Sequence, residues 1–377
     1  MPNMSFNFVI PRRFQPARNL LSRVFPQPFP PCPKLAGAGF GTGFEIYALR
    51  SMTNRSNPRQ SPSLELVLPA TSANLGPAFD AAALAVGLFL KVRARAASEF
   101  SVVAHGRDAE ICGCLENHLI LTTYQEVLQA ESKPVQPLAL RIENQIPIGK
   151  GCGSSAAARL AGIALAVHFG GLRWTDSRIV GEAALREHHP DNSAACWMGG
   201  LAVARTLGEG EAQVVRIAPK ENWPLLLAVP DASLPTEEAR RILPAQYSRA
   251  DAVANVQNSM LLLAAFVRGR GDLLASALQD RLHQPYRASL CPLLPVLQKF
   301  PVASGILGVS LSGAGPSVLI FLDAKASVSG AKAQVRDHLR AHGLAAELIP
   351  TAIAEHGASQ GRDWKRRRKS APPMAAI

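Results

Sequence analysis

Three glycines and two serines stand directly before a long alanine-rich segment in residues 147–158. Glycines let backbone amides approach phosphate oxygens closely, and the unpaired amides and positive dipole end of a helix N-terminus favour an anion. Lys150 adds a mobile positive charge. The spacing fits neither the P-loop nor the dinucleotide-binding motif. These residues alone therefore predict either a phosphate-binding loop or a serine-capped helix after a flexible turn.

Two more segments combine polar residues with turn formers. The first, PATSANLGPAFD at 69–80, follows a predicted strand and leads into an apolar run with a helix-like pattern. Asn74 and Asp80 in such surroundings either contact a ligand or cap local backbone. The second, HPDN at 189–192, ends a predicted helix because Pro190 stops it. By itself it predicts a loop that can project polar groups into a cleft.

The C-terminal half offers two arginines and a glycine-rich turn. Arg240 lies in a predicted helix after an apolar strand, and a guanidinium there can fork onto a carboxylate or phosphate. Arg287 lies in the charge-dense stretch DRLHQPYR, for which a solvated helix end is the alternative. The turn LSGAGPS at 311–317 separates two predicted strands, and its glycines allow a tight loop.

Taken in order, these segments resemble the motifs of the GHMP kinases. Residues 147–157 match the pattern Pro-x-x-x-Gly-Leu-Gly-Ser-Ser-Ala-Ala, with Lys150 where a small residue is usual and Cys152 where leucine is usual. Residues 311–317 resemble the third motif of the family. Within the family, residues 69–80 and the HPDN block resemble homoserine kinases most. The resemblance covers roughly residues 64–354.

The resemblance implies a role for each residue of the candidate site. ATP would contact Asn117 and the phosphate loop; magnesium would be held by Ser155 and Glu187, with Glu182 as the alternative carboxylate. Asn192 and Arg240 would stabilise the transition state, and no residue is assigned as a catalytic base. The loop residues are Pro147, Ile148, Gly149, Lys150, Gly151, Cys152, Gly153, Ser154, Ser155, Ala156 and Ala157; the substrate-binding residues are Asn74, Asp80, His189, Asn192, Arg240 and Arg287.

The implied activity is transfer of a phosphoryl group from ATP to the hydroxyl of homoserine, a step of threonine biosynthesis. The alternatives within the family are another small alcohol, of the mevalonate type or a sugar, and a catalytically weak relative. A basic nucleic-acid binder that uses the tails is the alternative from another class.

Strand-like and helix-like segments alternate along the chain, which indicates an α+β or α/β protein in two parts divided near residues 205–222. By the resemblance, the N-terminal domain is ribosomal S5 domain 2-like with a left-handed βαβ crossover, and the C-terminal domain is ferredoxin-like. We expect a disordered basic extension at 1–61, domains at 62–210 and 220–355, and a disordered basic tail at 356–377.

The formal charge of +12 is concentrated in the tails. Residues 1–61 hold eight basic residues and one acid, residues 362–377 hold six and one, and 26 of each remain between them. The neutral middle disfavours a nucleic-acid partner. No uninterrupted apolar run approaches a membrane span, and the spacing of the six cysteines favours reduced thiols.

A cytoplasmic location is therefore expected. An organelle is the alternative if the acid-poor, arginine-rich N-terminus is a transit peptide; otherwise it is an upstream extension, with Met52 just before the folded part. Composition does not fix the oligomeric state, and a homodimer stays open.

Overall fold

The computed structural model describes residues 63–208, 210–300, 305–361 and Trp364. The chain divides into a unit Met1–Met52 and a compact unit Thr53–Ile377, and every described element belongs to the second. The predicted disorder of residues 1–61 and of the tail from Lys365 onward lies outside the described residues.

A six-stranded sheet forms the first half of the described chain. Its path runs β3-β4-β2-β5-β6, with β1 paired to β2, and β3 and β4 are parallel neighbours. The strands are β1 (Ser63–Ala73), β2 (Ala82–Ala96), β3 (Ser101–Gly106), β4 (Leu138–Asn144), β5 (Leu201–Thr206) and β6 (Ala212–Ile217).

The helix-like interpretation of the apolar run after Asp80 is wrong. This run forms the start of β2, where residues 83–89 pair with residues 69–73 of β1 and residues 82–84 pair with β5. Alanine and leucine favour helices as isolated residues, but pairing on both sides of β2 outweighs that preference. The loop at 74–81 is consequently held between two paired strands.

Five helices accompany this sheet: α1 (Ala109–Gly113), α2 (Leu119–Ala130), α3 (Ser154–Phe169), α4 (Asp176–Glu187) and α5 (Asp191–Met198). Small residues on α3 allow close packing against α2. A Cβ added at Gly162 would lie 2.5 Å from the carbonyl oxygen of Ile120. The close contact fixes the position of α3, and with it the N-terminus of α3 that follows the phosphate loop.

A four-stranded antiparallel sheet of order β10-β7-β9-β8 forms the second half. The strands are β7 (Leu225–Val229), β8 (Ile306–Leu311), β9 (Val318–Leu322) and β10 (Glu347–Thr351). Their helices are α6 (Thr236–Arg241), α7 (Arg249–Arg268), α8 (Leu274–Ala277), α9 (Gln284–Arg287), α10 (Leu293–Leu297) and α11 (Val328–Ala341). Helices separate β7 from β8 and β9 from β10, so the half has the expected ferredoxin-like arrangement.

Two predicted boundaries differ from the observed elements. The first sheet continues through β6, which pairs with β5 at the edge of the described sheet, whereas the predicted first domain ended at residue 210. As an edge strand, β6 leaves Val215 58% exposed, and such a strand has a weak sequence pattern. The predicted tail begins too early: residues 358–360 form a 3₁₀ turn, and the buried Trp364 packs against Trp197 with ring centroids 5.0 Å apart.

Among the described helices, only α7 is long and apolar enough to cross a membrane. Core helices of folded proteins also meet this criterion. The sequence interpretation had found no such run. On its buried side, Asn255 Nδ2 donates to the carbonyl oxygen of Pro77 at 2.6 Å. The five described cysteines are free thiols.

Candidate active site

The phosphate loop is shaped by three glycines with positive φ. Gly149, Gly151 and Gly153 have φ of 70°, 75° and 72°, a region that L side chains rarely adopt. A Cβ at Gly151 would lie 2.3 Å from the carbonyl oxygen of Ser312. Gly153 is the N-cap of α3, so Ser154 and Ser155 occupy the first turn, where backbone amides and the helix dipole favour an anion.

The three motifs meet at this loop. The Thr71 amide donates to the Cys152 carbonyl at 3.0 Å, and the Gly313 amide donates to the Ala73 carbonyl at 3.1 Å. Ser312 Oγ donates to the Gly151 carbonyl at 2.8 Å. Segments that are about 80 and 160 residues apart along the chain are thereby fixed against one another.

The two departures from the family pattern point in different directions. Cys152 is 1% exposed and belongs to the hydrophobic core, and burial raises the pKa of its thiol to about 12. It therefore acts as a neutral apolar side chain, as a leucine would. The Lys150 ammonium instead donates to the carbonyl oxygen of Asp231, on the loop after β7. Lys150 thus links the phosphate loop to the C-terminal half.

Ser155 and Glu187 lie in direct contact. Ser155 Oγ donates to Glu187 Oε1 at 2.6 Å, and Arg159 Nε donates to the same oxygen at 2.6 Å. Glu182 instead pairs with Arg178 and Arg186. Of the two candidate magnesium carboxylates, only Glu187 is therefore beside the phosphate loop.

A bidentate ion pair joins the two halves of the protein. Arg240 Nη1 and Nη2 donate to the two Asp80 oxygens at 3.0 and 2.6 Å. Each side chain is about one-third exposed. The guanidinium carbons of Arg240 and Arg287 lie 5.5 and 5.4 Å from the centroid of the Phe79 ring, within cation–π distance. One acid and two bases therefore converge around one aromatic ring.

Arg287 is 1% exposed, and its hydrogen-bond partners are neutral. Its Nε donates to the Ala239 carbonyl at 2.9 Å, and its Nη1 lies 3.2 Å from His283 Nδ1. Burial and the neighbouring Arg240 lower its pKa to about 10, so it stays charged at neutral pH. No carboxylate lies within ion-pair distance of Arg287 in the described part of the chain.

His283 contacts Arg287 and holds its side chain in place. Its Nε2 lies 2.8 Å from the Gly76 carbonyl, which can only accept, so Nε2 carries the proton and Nδ1 accepts from Arg287. Burial lowers the pKa of His283 to about 4, which keeps the ring neutral. The sequence interpretation did not single out His283, although its spacing of four from Arg287 on a helical segment was a usable signal.

The HPDN block is the start of a helix and not the predicted loop. Pro190 is the N-cap of α5 and Asp191 is its first residue, since proline is tolerated at a helix start. Asp191 Oδ1 accepts from the Asn192 amide and contacts His189 Nδ1, both at 2.6 Å. Burial alone would lower the pKa of His189, but the hydrogen bond and charge of Asp191 raise it.

Asn192 contacts Thr71 and lies close to the phosphate loop. Thr71 Oγ1 donates to Asn192 Oδ1 at 2.6 Å, and this oxygen is 3.3 Å from the position that a Cβ would take at Gly153. Because its oxygen accepts from Thr71, the amide nitrogen of Asn192 is oriented as a donor.

Comparison with known proteins places this arrangement in a family. Residues 118–200 match the GHMP kinases N terminal domain, and residues 262–341 match the GHMP kinases C terminal domain. The homoserine kinase of Solibacter usitatus is 42% identical over 294 residues, which cover 78% of this chain and 95% of that protein. The chain belongs to the GHMP kinase family, in its homoserine kinase group. As a GHMP kinase it is an ATP-dependent enzyme, as the sequence predicted.

Other relatives support the same family assignment. The homoserine kinase of Deinococcus radiodurans is 35% identical over 289 residues, 77% of this chain and 94% of that protein. Two solved structures share the fold. The homoserine kinase of Cytophaga hutchinsonii has a TM-score of 0.66 at 24% identity and covers 81% of this chain and 99% of its own. The mevalonate kinase of L. major has a TM-score of 0.59 at 16% identity, with coverages of 80% and 100%.

Two residues that the sequence predicted as ligand contacts, Asn74 and Asn117, do not present free polar groups beside the phosphate loop. Asn74 is buried, its Oδ1 accepts from the Asp80 amide at 3.0 Å, and its Nδ2 donates to the Gly313 carbonyl at 2.9 Å. Its amide thus positions Asp80. Asn117 is exposed in the turn before α2, and no hydrogen bond joins it to the phosphate loop among the described residues. Asp108, which the sequence interpretation missed, accepts from the Ile148 amide at 3.1 Å.

Proposed function

We propose that this GHMP kinase transfers the γ-phosphoryl group of ATP to the side-chain hydroxyl of L-homoserine. The names of the relatives from Solibacter usitatus and Deinococcus radiodurans support this substrate. The observation that carries the proposal is the set of charges beside the phosphate loop: Asp80 bound to Arg240, with Arg287 next to both. One acid and two arginines match the ammonium and carboxylate of an amino acid.

A zwitterion suits this pocket better than the alternative acceptors do. An amino acid can exchange the Asp80–Arg240 ion pair for an Asp80–ammonium pair and an Arg240–carboxylate pair, so no charge loses its partner. Arg287, whose contacts are neutral, gains the carboxylate as well. A mevalonate-type anion would leave Asp80 without a cation once Arg240 turned to it, and a neutral sugar would pair with neither.

The residues beside α3 fit a hard divalent cation. Ser155 Oγ and Glu187 Oε1 are hydroxyl and carboxylate oxygens 2.6 Å apart, the donor types that Mg²⁺ prefers together with phosphate oxygens. When bound, the cation would neutralise charge on the transferring phosphates. In this proposal Arg159 holds Glu187 in place, and the first turn of α3 with Lys150 and the loop glycines binds the phosphates.

Positioning and charge carry the catalysis in this proposal. Asp80, Arg240 and Arg287 hold the amino acid by its two charged ends, while His189 and Asn192 direct its hydroxyl toward the γ-phosphorus. Asn192 donates from its amide nitrogen, and Arg240 adds positive charge as the bond to the leaving oxygen lengthens. No residue is assigned as a base, because the amide of Asn192 cannot take up a proton. The hydroxyl proton passes to a phosphoryl oxygen or to water as the new O–P bond forms and the bond to the ADP oxygen breaks.

The test is ATP turnover by the full chain with saturating magnesium and one acceptor at a time: homoserine, serine, mevalonate or galactose. We expect turnover that requires homoserine. Turnover with mevalonate or galactose but not with homoserine would overturn the substrate assignment and keep the reaction class. No turnover with any of the four would favour a catalytically weak relative.

Two truncated acceptors test the pocket. 4-Hydroxybutyrate lacks the ammonium of homoserine, and 3-amino-1-propanol lacks the carboxylate. We expect each to lose at least about 100-fold in kcat/KM, because each leaves a charged side chain of the enzyme without its partner. If either is used as well as homoserine, the corresponding half of the pocket has another role.

Several expectations stay predictions. These are the division into two domains, the left-handed crossover, and a cytoplasmic location with an organelle as the alternative. The separation of the two sheets supports a two-domain division, which we place after β6 at Ile217.

A further inference from the structure

Arg159 lies one helical turn after Ser155 on α3, on the same face of the helix. Side chains of an α-helix lean toward its N-terminus, so the Arg159 side chain covers the turn that contains Ser155. This turn directly follows the phosphate loop. An arginine stays charged at any physiological pH, so the chain places a permanent positive charge beside the loop.

Among the described residues, Arg159 has a partner on one of its three nitrogens. Its Nε donates to Glu187 Oε1 at 2.6 Å. Its Nη1 and Nη2 donate to no protein atom in the part of the chain that the structure describes. The side chain is 24% exposed, so these two nitrogens are open to an anion while Nε anchors the group.

The shared oxygen of Glu187 sets how close Arg159 lies to the phosphates. Glu187 Oε1 accepts from Ser155 Oγ as well as from Arg159 Nε. Because both bonds are 2.6 Å long, Arg159 Nε and Ser155 Oγ are separated by at most twice that distance. A phosphate bound at the first turn of α3 therefore lies within reach of the Nη nitrogens of Arg159.

The pair of Arg159 and Glu187 lies on the side of the loop that faces the acceptor residues. Glu187 is the last residue of α4, and His189 and Asn192 follow it two and five residues later. Asn192 in turn lies close to Gly153, the N-cap of α3. The γ-phosphoryl group of ATP has to face the acceptor hydroxyl in order to be transferred. Arg159 is consequently placed for the γ-phosphoryl group rather than for the inner phosphates.

We propose that Arg159 is a further catalytic residue, whose Nε stays on Glu187 while its Nη groups donate to oxygens of the γ-phosphoryl group. During transfer the bond from phosphorus to the ADP oxygen breaks, its electron pair leaves with ADP, and the bond to the acceptor oxygen forms. The hydroxyl proton passes to a phosphoryl oxygen or to water. The guanidinium neutralises charge on the outer phosphoryl oxygens during this step. The inference rests on the proposed transfer from ATP and not on the identity of the acceptor.

The first experiment measures the binding of ATP and ADP to the full chain by calorimetry, with magnesium and without acceptor. Arg159→Met keeps much of the length of the side chain and removes its charge and donors. We expect the dissociation constant of ATP to rise at least about tenfold and that of ADP less than about twofold, since ADP lacks the contacted group. Arg186→Met is the matched control, because it removes an arginine that pairs with Glu182 on α4 and should change neither constant.

A cycle with Glu187 separates a direct contact from an effect through the carboxylate. Glu187→Gln removes the charge that Arg159→Met leaves without its partner. In the Glu187→Gln background, with EDTA in place of magnesium, Arg159→Met should still weaken ATP about tenfold more than ADP. Arg159→Lys keeps a cation beside Glu187 and loses the fork of donors. It should keep the melting temperature of the wild type and weaken ATP about threefold more than ADP.

Three results would overturn the role of Arg159. One is an unchanged affinity of folded Arg159→Met for ATP, and another is an equal loss for ATP and ADP. The third is a loss that disappears in the Glu187→Gln background, because Arg159 would then act through Glu187 alone. Failure of the wild type to bind ATP would instead contradict the proposed function, so the two failures are distinguishable.

Discussion

The phosphate loop and the acceptor pocket (Asp80, Arg240 and Arg287) both bind a charged ligand, but the loop does so with backbone groups and the pocket with side chains. The loop is made of backbone: Gly151 lies against the carbonyls of Ser312 and Gly315, and the hydrogen bonds of the loop to the other motifs involve main-chain atoms. The pocket is made of charged side chains, Asp80, Arg240 and Arg287, that come from both halves of the chain. The loop should therefore be sensitive to added atoms, and the pocket to changes of charge.

The largest expected effect is that of a single methyl group in the loop. Gly151→Ala places a Cβ 2.3 and 2.6 Å from two backbone oxygens that cannot move independently. With φ at +75° it adds strain of about 1–2 kcal/mol. We expect kcat/KM for ATP to fall by more than about 100-fold, since a misplacement of about 1 Å in catalytic geometry already costs about 100-fold. The measurement is steady-state turnover together with a melting curve.

Gly171→Ala is the matched control for backbone strain. Gly171 also has a positive φ of 64°, but nothing lies within 4 Å of an added Cβ. It should lower stability by about 1–2 kcal/mol and leave turnover unchanged. If Gly151→Ala keeps turnover within about tenfold of the wild type, steric exclusion is not what shapes the loop.

In the pocket, removal of one charge should have the largest effect. Asp80→Asn keeps the shape of the side chain but loses the charge that pairs with Arg240 and, in our proposal, with the substrate ammonium. We expect kcat/KM for homoserine to fall about 100-fold while KM for ATP stays the same. The loss should disappear with 4-hydroxybutyrate, which has no ammonium.

The exposed Asp272–Arg270 pair provides the control for Asp80. Both side chains of that pair are more than half exposed, so Asp272→Asn should change neither constant. An equal loss of activity with homoserine and with 4-hydroxybutyrate in Asp80→Asn would mean that Asp80 only holds the two halves together.

The difference between a loop built from backbone groups and a pocket built from side chains also explains what the sequence could predict. Helices α3 and α4 were predicted from local patterns along the chain, whereas local glycine and serine spacing left the loop open between a phosphate-binding loop and a capped helix. The family resemblance decided between those two and also supplied the ferredoxin-like arrangement of the second half. The pocket was predicted through the family resemblance, since residues 80, 240 and 287 have no local relation to one another. His283 and Arg159 were missed because their roles arise from contacts across the fold, with Gly76 and Glu187. β6 and the first half of β2 were missed because strand pairing determined them.

The buried support of the pocket should make stability depend on pH. His283 has a folded pKa of about 4 against an ordinary value of 6.5, because burial disfavours the charged ring. Neutral His283 contributes its full stabilisation of the folded state above pH 6.5. This contribution is lost as pH falls toward 4, since the unfolded chain binds the proton more readily. About 2 kcal/mol should be lost between pH 6.5 and 5. Urea unfolding of the wild type and His283→Gln at pH 7, 6 and 5 should show a flatter dependence in the variant.

His189 provides the opposite sign. Its folded pKa is raised, so its contribution is present below pH 6.5 and is lost as pH rises through the folded value. His189→Gln should therefore lower stability more at pH 5 than at pH 8. If the two variants change the pH dependence in the same direction, the assigned protonation states are wrong.

A smaller effect is expected where the loop and a carboxylate meet. Glu187→Gln removes the charge beside Ser155, whereas Glu182→Gln changes a carboxylate on the same helix that pairs with Arg178 and Arg186. We expect the first to raise the magnesium concentration for half-maximal turnover about tenfold and the second to change it less than about twofold. Equal effects of the two variants would contradict the assignment of Glu187, rather than Glu182, as the magnesium ligand.

The smallest effect is expected for the charge that the backbone-built loop carries. The Lys150 ammonium contacts the Asp231 carbonyl, so it has to leave that oxygen to reach a phosphate. Lys150→Ala should therefore raise KM for ATP by only about three- to tenfold, and Lys150→Arg by less, because the glycine-shaped amides keep their positions. Lys91→Ala, which removes an exposed lysine paired with Glu143, is the control. A loss near 100-fold would show that this loop depends on side-chain charge as much as the pocket does, and the contrast between the two regions would then not hold.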